Sequence, residues 1–177
     1  MGQGKRGMVL ENSIEQTNKV YRNKGLALVH KEPTPWNVSY DRKTGRVIRA
    51  FPQKKGTVDF TGVSHGRSIA FDAKSTNVTT RFPLDNVEPH QVEYLMDHQD
   101  QGGISFIIID FAKKQEHYFM TINQLYDWWD HAESGGRKSI PYEWIMLNCE
   151  RIRTGNGAIV DYLKFCNTAY KGKVVTK

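Results

Sequence analysis

Thr57-Val58-Asp59-Phe60-Thr61-Gly62, followed through Ser64-His65-Gly66-Arg67 by Ile69-Ala70-Phe71-Asp72-Ala73-Lys74, reads as two β-strands joined by a tight turn. Val, Ile, Phe and Thr alternate with polar residues in both runs, and Gly66 supplies the backbone freedom that a short hairpin needs. Side chains two apart on a strand share a face. Asp72 and Lys74 therefore project together, Phe71 and Ala73 point the other way, and pairing of the strands brings Asp59 beside Asp72. The spacing predicts two carboxylates and one ammonium on a single surface.

Such a group suits phosphodiester hydrolysis. Mg²⁺ is a hard cation that keeps part of its water shell, so one or two carboxylates and a substrate phosphate complete its coordination. The ion acidifies a bound water and neutralises charge that develops on phosphorus. A neighbouring lysine orients that water or stabilises the transition state as a point charge. The plainer reading is an amphipathic hairpin whose outer face carries solvated charges. An acid, a spacer and a lysine recur often by chance, so spacing alone leaves both readings open.

Outward from this hairpin, the chain alternates helical and extended patterns. Leu10, Ile14, Thr17 and Tyr21 recur at helical spacing, which predicts a helix over residues 8–24 ended by Gly25. Leu26 to His30 is a short strand, closed by Pro33-Thr34-Pro35. Val38-Ser39-Tyr40 and Val47-Ile48-Arg49-Ala50-Phe51 flank the turn Asp41-Arg42-Lys43-Thr44-Gly45-Arg46. From Asp41 to Lys55 there are six basic residues and one acid. This predicts a projecting basic ribbon over residues 36–56, with Arg42, Lys43, Arg46, Arg49, Lys54 and Lys55 as candidate DNA contacts and Tyr40 or Phe51 free to lie against bases. The alternative is a solvated edge hairpin with its aromatics folded inward.

Beyond the carboxylates, Pro89 opens a helix running to about Asp100, and Ile104 to Ile109 forms a central strand buried on both faces. His117 to Met120 is its neighbour. A helix from Thr121 or Ile122 carries Tyr126, Trp128 and Trp129 into the core. Short helices are expected around residues 142–148 and 158–166, with a loose tail from Lys171. The sum is a mixed α/β fold, a central sheet flanked by helices, forming one domain over residues 1–177.

The sequence holds 177 residues, enough for a substantial core. It has no apolar run of bilayer-spanning length and no apolar leader near Met1, and Cys149 and Cys166 stand far apart, which together point to a reduced, cytoplasmic protein. Residues 1–60 carry 12 Lys and Arg against 5 Asp and Glu, while the remainder carries 13 against 14. The excess positive charge lies in the first third and suits a polyanion; no membrane role is expected. Six scattered histidines lack the spacing of a transition-metal site, and no phosphate-binding G-x-x-x-x-G-K-[ST] loop is present.

The order of motifs resembles the RecU-type Holliday junction resolvases of Gram-positive bacteria and their phages, within the PD-(D/E)xK nuclease superfamily. The resemblance runs from about residue 6 to 165. It is carried by Arg6-Gly7-Met8-Val9-Leu10-Glu11, Thr17-Asn18, His30-Lys31-Glu32-Pro33-Thr34-Pro35, Asp59-Phe60-Thr61-Gly62, Phe71-Asp72-Ala73-Lys74, Phe82-Pro83-Leu84, His90-Gln91 and Gly136-Arg137-Lys138-Ser139-Ile140. It implies a restriction-endonuclease-like fold and a homodimer that nicks four-way DNA junctions symmetrically with Mg²⁺, for which Mn²⁺ can substitute. Asp59 and Asp72 would hold the metal, completed by Thr57 and Gln91. Lys74 would stabilise the transition state or position the attacking water. The basic hairpin would be the stalk that enters the junction, Arg137 and Lys138 would add DNA contacts, and Glu11 is a weaker site candidate. A recombinase is a further candidate partner.

Three departures stand out. The family usually carries Glu where Asp72 stands, and Asp is one methylene shorter. Val58 occupies the position of the superfamily's Pro. Only five residues precede Arg6, so affinity that depends on a longer basic arm should be lower. Two other functions compete with junction cleavage: a restriction- or repair-type endonuclease on duplex DNA, and a catalytically silent DNA-structure-binding modulator of a recombinase.

Overall fold

The computed structural model describes residues 3–33, 36–52 and 57–166. Helix α1, Gln3–Asn23, buries Leu10, Ile14, Thr17, Asn18 and Tyr21 along one stripe. It begins five residues earlier than expected, because apolar periodicity marks where the buried stripe starts and not where backbone bonding starts. It ends as expected at Gly25, whose φ of 66° lets the Leu26 amide reach back to the Tyr21 carbonyl at 2.9 Å.

Strand β1 is Leu28–Lys31, two residues later than its apolar run begins. The basic hairpin follows as β2, Trp36–Tyr40, and β3, Val47–Pro52, and the pair forms a two-stranded sheet of its own. Next come β4, Phe60–Ser64, and β5, Arg67–Thr76. Their turn places His65 at φ 48° and Gly66 at φ 79°, the two left-handed residues of a two-residue hairpin. Thr57, Val58 and Asp59 stand outside β4, contrary to the sequence reading: the Asp59 amide donates to the Asp72 side chain instead of a strand ladder.

The remaining elements are β6, Arg81–Pro83; α2, Pro89–Asp100; β7, Ile104–Phe111; β8, Glu116–Thr121; α3, Ile122–Glu133; β9, Ser139–Pro141; α4, Tyr142–Asn148; β10, Glu150–Ile152; and α5, Leu163–Cys166. Residues 158–162, read from the sequence as helical, are not. They are drawn out by long-range bonds: the Val160 amide donates to Thr17 Oγ1 and the Tyr21 hydroxyl to Asp161 Oδ1, at 3.0 and 2.9 Å. The tail expected to be loose from Lys171 lies outside the described residues.

Among the described residues the main sheet has six strands in the order β1-β4-β5-β7-β8-β10, parallel between β5 and β7 and antiparallel elsewhere. Every residue of β7 is buried, as a strand covered on both faces requires. One core lies between the sheet and α1, and contains Phe60, Phe71, Phe106, Phe119 and Tyr162. The other lies on the opposite face under α2 and α3, around Ile107, Leu95 and Leu125, with Trp128 and Trp129 packed at its margin. The fold is thus the mixed α/β sheet flanked by helices that the sequence predicts. Asp72 and Lys74 belong to the second face.

Candidate active site

The hairpin register pairs Phe60 with Phe71, so the residues immediately outside that pair, Asp59 and Asp72, meet across the strands. The Asp59 amide donates to Asp72 Oδ1 at 3.1 Å, and the Ala73 amide donates to Asp59 Oδ2 at 3.0 Å. Each carboxylate is therefore oriented by a backbone amide of the other's segment. Lys74, two residues along β5 on the same face, sets its Nζ 2.7 Å from Asp72 Oδ2. Oδ2 is buried, and the Lys74 ammonium is the charge set against it.

Asp72 is fully buried, and its carboxyl is pushed well above the usual carboxylate range. Burial is the main cause, followed by the charge and hydrogen bonding of Asp59; Lys74 opposes the shift without cancelling it. Two acids forced together in a dry corner favour a shared proton over two charges. A divalent cation would relieve the same repulsion. The oxygen-only donor set of two adjoining carboxylates fits a hard ion such as Mg²⁺, which takes its remaining ligands from water and substrate. Among the described residues no cluster of three or more His, Cys, Asp and Glu side chains is poised around a metal position, so any ion here leans on two carboxylates and neutral oxygens.

Thr57 is exposed at the rim of a groove beside Asp59. Gln91 is buried at the start of α2, where its Oε1 accepts the Glu88 amide at 3.0 Å as half of a capping box. Its amide is thus held in place by the helix end. Glu11 comes to the same end of the sheet from α1: Lys31 Nζ lies 2.5 Å from its Oε2, and Asp59 acts electrostatically on that lysine.

The backbone of Glu32 donates to the Asp59 carbonyl at 2.8 Å. Its side chain accepts the Thr61 hydroxyl, and His30 Nε2 lies 3.3 Å from the same oxygen. Lys31 and Glu32 belong to a quoted sequence block but carry no role there. Only the β1–β4 register, which no local pattern reveals, shows that β1 ends beside the carboxylates.

In the hairpin, Arg42, Lys43, Arg46 and Arg49 are exposed. Asp41, the acid among them, has its Oδ1 occupied by the Lys43 and Thr44 amides at 2.7 and 2.9 Å, which shapes the turn and holds its carboxyl below the usual range. Tyr40 and Phe51 are 60% and 50% exposed, so the aromatics are not folded inward. Trp36, Val38, Val47 and Ile48 are exposed as well. Lys54 and Lys55 lie outside the described residues. Arg137 and Lys138 are exposed before β9, where Arg137 Nε donates to Ser139 Oγ and the Lys138 carbonyl accepts from Leu84. These contacts tie them to the β6–β9 pair and not to the carboxylates.

The molecule is a mixed α/β protein with an acid–acid–lysine centre on its paired central strands. The chain belongs to the RecU family: the family model described as Recombination protein U matches residues 5–168. Holliday junction resolvase RecU of Levilactobacillus brevis is 41% identical over 165 residues, covering 91% of this chain and 82% of that protein. The proteins of the same name from Geobacillus kaustophilus and Bacillus subtilis are 37% and 36% identical over 169 residues each, covering 84% and 81% of those proteins and 93% of this chain. Among solved structures, Archaeoglobus fulgidus Hjc, a Holliday junction resolvase from an archaeal hyperthermophile, aligns over 76% of this chain and 92% of that chain, with 10% identity and a TM-score of 0.45.

Proposed function

We propose that this protein is a Holliday junction resolving endonuclease that hydrolyses phosphodiesters with a divalent cation, Mg²⁺ or Mn²⁺. The observation that carries the reading is the meeting of Asp59 and Asp72 across β4 and β5 with Lys74 Nζ 2.7 Å from Asp72. Asp59 and Asp72 would hold the ion, with Thr57 and Gln91 as oxygen donors directly or through water. A bound ion supplies an acidified water and charge neutralisation at phosphorus. Lys74, held against Asp72, places its positive charge where negative charge grows on the phosphate oxygens.

The hairpin supports the junction reading. Its turn presents Arg42, Lys43 and Arg46 with no ion-pair partner among the described residues, and Arg49 shares the face of Phe51, a combination suited to phosphate and base. The opposite face carries Trp36, Val38, Tyr40, Val47 and Ala50, with no charge among them. An uncovered apolar face of this kind suits a second copy of the chain. Symmetric nicking across a junction calls for two equivalent centres, which an isologous dimer supplies. DNA recombination and repair in the cytoplasm, with a recombinase as a further partner, is the setting that this activity would serve.

The test uses a labelled four-way junction and a matched linear duplex, each incubated with Mg²⁺ or EDTA. Wild type should nick opposed strands of the junction only with metal. Asp72→Asn should bind the junction yet lose about 10³-fold or more of the nicking rate. Equal cleavage in EDTA would reject the metal reading, and equal cleavage of the duplex would reject the junction reading.

A further inference from the structure

Among the described residues, the face of the sheet that carries α2 is left open over β1 and β4, beside the carboxylates. Cross-strand rows there run Leu28–Val63–Ser68 and His30–Thr61–Ala70, and the next row in register is that of Asp59 and Asp72. Successive rows on one face are roughly 7 Å apart, twice the rise per residue. A groove of about 590 Å³ lies over the first two rows and reaches Thr57 at the metal end. Its floor sets two apolar side chains, Leu28 at 52% exposed and Val63 at 41%, beside the hydroxyls of Thr61 and Ser68.

One wall is the ring of Tyr94 on α2, which lies 6.3 Å from the His98 ring at an interplanar angle of 17°. That imidazole is fixed in turn, with Ser68 Oγ 2.8 Å from Nε2 and Ser105 Oγ 2.7 Å from Nδ1. Tyr94 is thus a backed aromatic surface. Polar groups sit at the rim. Glu32 uses Oε1 for both Thr61 and His30, so neither contact occupies its Oε2. Among the described residues no Lys or Arg lines the groove. Among the described lining residues a phosphate would find no Lys or Arg, whereas a flat, uncharged ring with amino edges would find the apolar side chains of Leu28 and Val63, an aromatic wall and an acceptor.

We infer that this groove receives a nucleobase of the strand being cut, within two nucleotides of the scissile phosphate, and so sets which nucleotide steps are nicked. The inference rests on the nuclease reading above and adds to it a specificity site made of Tyr94, Leu28, Val63 and Glu32. A carboxylate acceptor favours a base bearing an exocyclic amine over thymine.

The experiment uses a pool of four-way junctions with randomised arms, cleaved in one tube with Mg²⁺ and sequenced at the new ends, so that sites are compared by ratio and not by absolute rate. Wild type should show a bias of about tenfold at one position near the nick. Tyr94→Ala should flatten it to below about threefold, and Tyr94→Phe should keep it. Glu32→Gln, which keeps shape and adds a donor, should shift the bias toward a base presenting an acceptor. Profiles of Tyr94→Ala and Glu32→Gln that superimpose on wild type would overturn the inference while leaving the nuclease reading intact. Absence of nicking by wild type with either Mg²⁺ or Mn²⁺ would overturn both.

Discussion

Asp72 shows how function and stability pull against each other in one side chain. Its carboxyl is buried against Asp59, and the folded state holds its proton more tightly than the unfolded chain does. The sign follows from linkage: a group with a raised native value stabilises the fold below its unfolded value, and that contribution is lost as pH rises through the native value. Above the ordinary carboxylate range the ionised pair is a stability cost that a bound cation would relieve. Asp72→Asn, which imitates the protonated acid, should therefore melt higher than wild type in EDTA. The gap should widen as pH rises from about 4, the ordinary carboxylate value, toward the raised native value. Adding Mg²⁺ should raise the melting temperature of wild type and leave the variant unmoved. Thermal melts across pH check this, and a variant that is less stable than wild type at pH 8 would contradict the account. Lys74→Ala, which leaves the acids without their cation, should instead lower nicking by about 10²-fold or more with metal binding retained.

Among the elements, the β2–β3 hairpin makes the sharpest prediction because its cations are unpartnered within the described residues. Each phosphate that a Lys or Arg neutralises contributes about −0.9 to the slope of log affinity against log salt. Replacing Arg42, Lys43, Arg46 and Arg49 with Ala should flatten that slope by roughly 3 to 4 for junction DNA. A slope within 1 of wild type would mean that the ribbon does not touch the backbone. The same element marks where sequence reading succeeds and where it stops. Its strands, its turn at Gly45 and its exposure follow from local composition, as do α2 from Pro89 and the buried run of β7. The strand parity that puts Asp59, Asp72 and Lys74 together is likewise local, since it needs only a hairpin and a period of two. What stays hidden is contact between distant segments. Thr17 and Tyr21 hold residues 160 and 161 extended where their pattern suggests helix, and the β1–β4 register brings Glu32 to Asp59. Strands of three residues, such as β6, β9 and β10, carry too little periodicity to be seen.

At the scale of the whole molecule, the site is braced by an aromatic row on the far face of the sheet. Phe60, Phe71, Phe106 and Phe119 stack across β4, β5, β7 and β8 with ring centroids 4.9, 4.6 and 4.3 Å apart. Phe71 is the residue before Asp72, so Phe71→Ala should lower unfolding free energy by about 3–5 kcal/mol in denaturant titration and loosen the carboxylate pair as well. The hairpin gives the molecule its other large-scale property. Trp36, Val38, Tyr40, Val47 and Ala50 form an apolar face that nothing in the described chain covers, and burial of such side chains stabilises by roughly 25 cal/mol per Å² removed from water. If that face meets its equivalent in a second copy, the protein should sediment at twice its 20.4 kDa. A charge at its centre, Val38→Glu, should then return it to 20.4 kDa at micromolar concentration without unfolding the main sheet, because the ribbon is a separate two-stranded sheet. The nicking pattern should change with the mass. A dimer incises both opposed strands of a junction within one binding event, whereas the Val38→Glu monomer should release singly nicked junctions, separated on native and denaturing gels. Paired incision by a protein that sediments as a monomer would remove the hairpin face from the assembly and place the two-fold contact elsewhere.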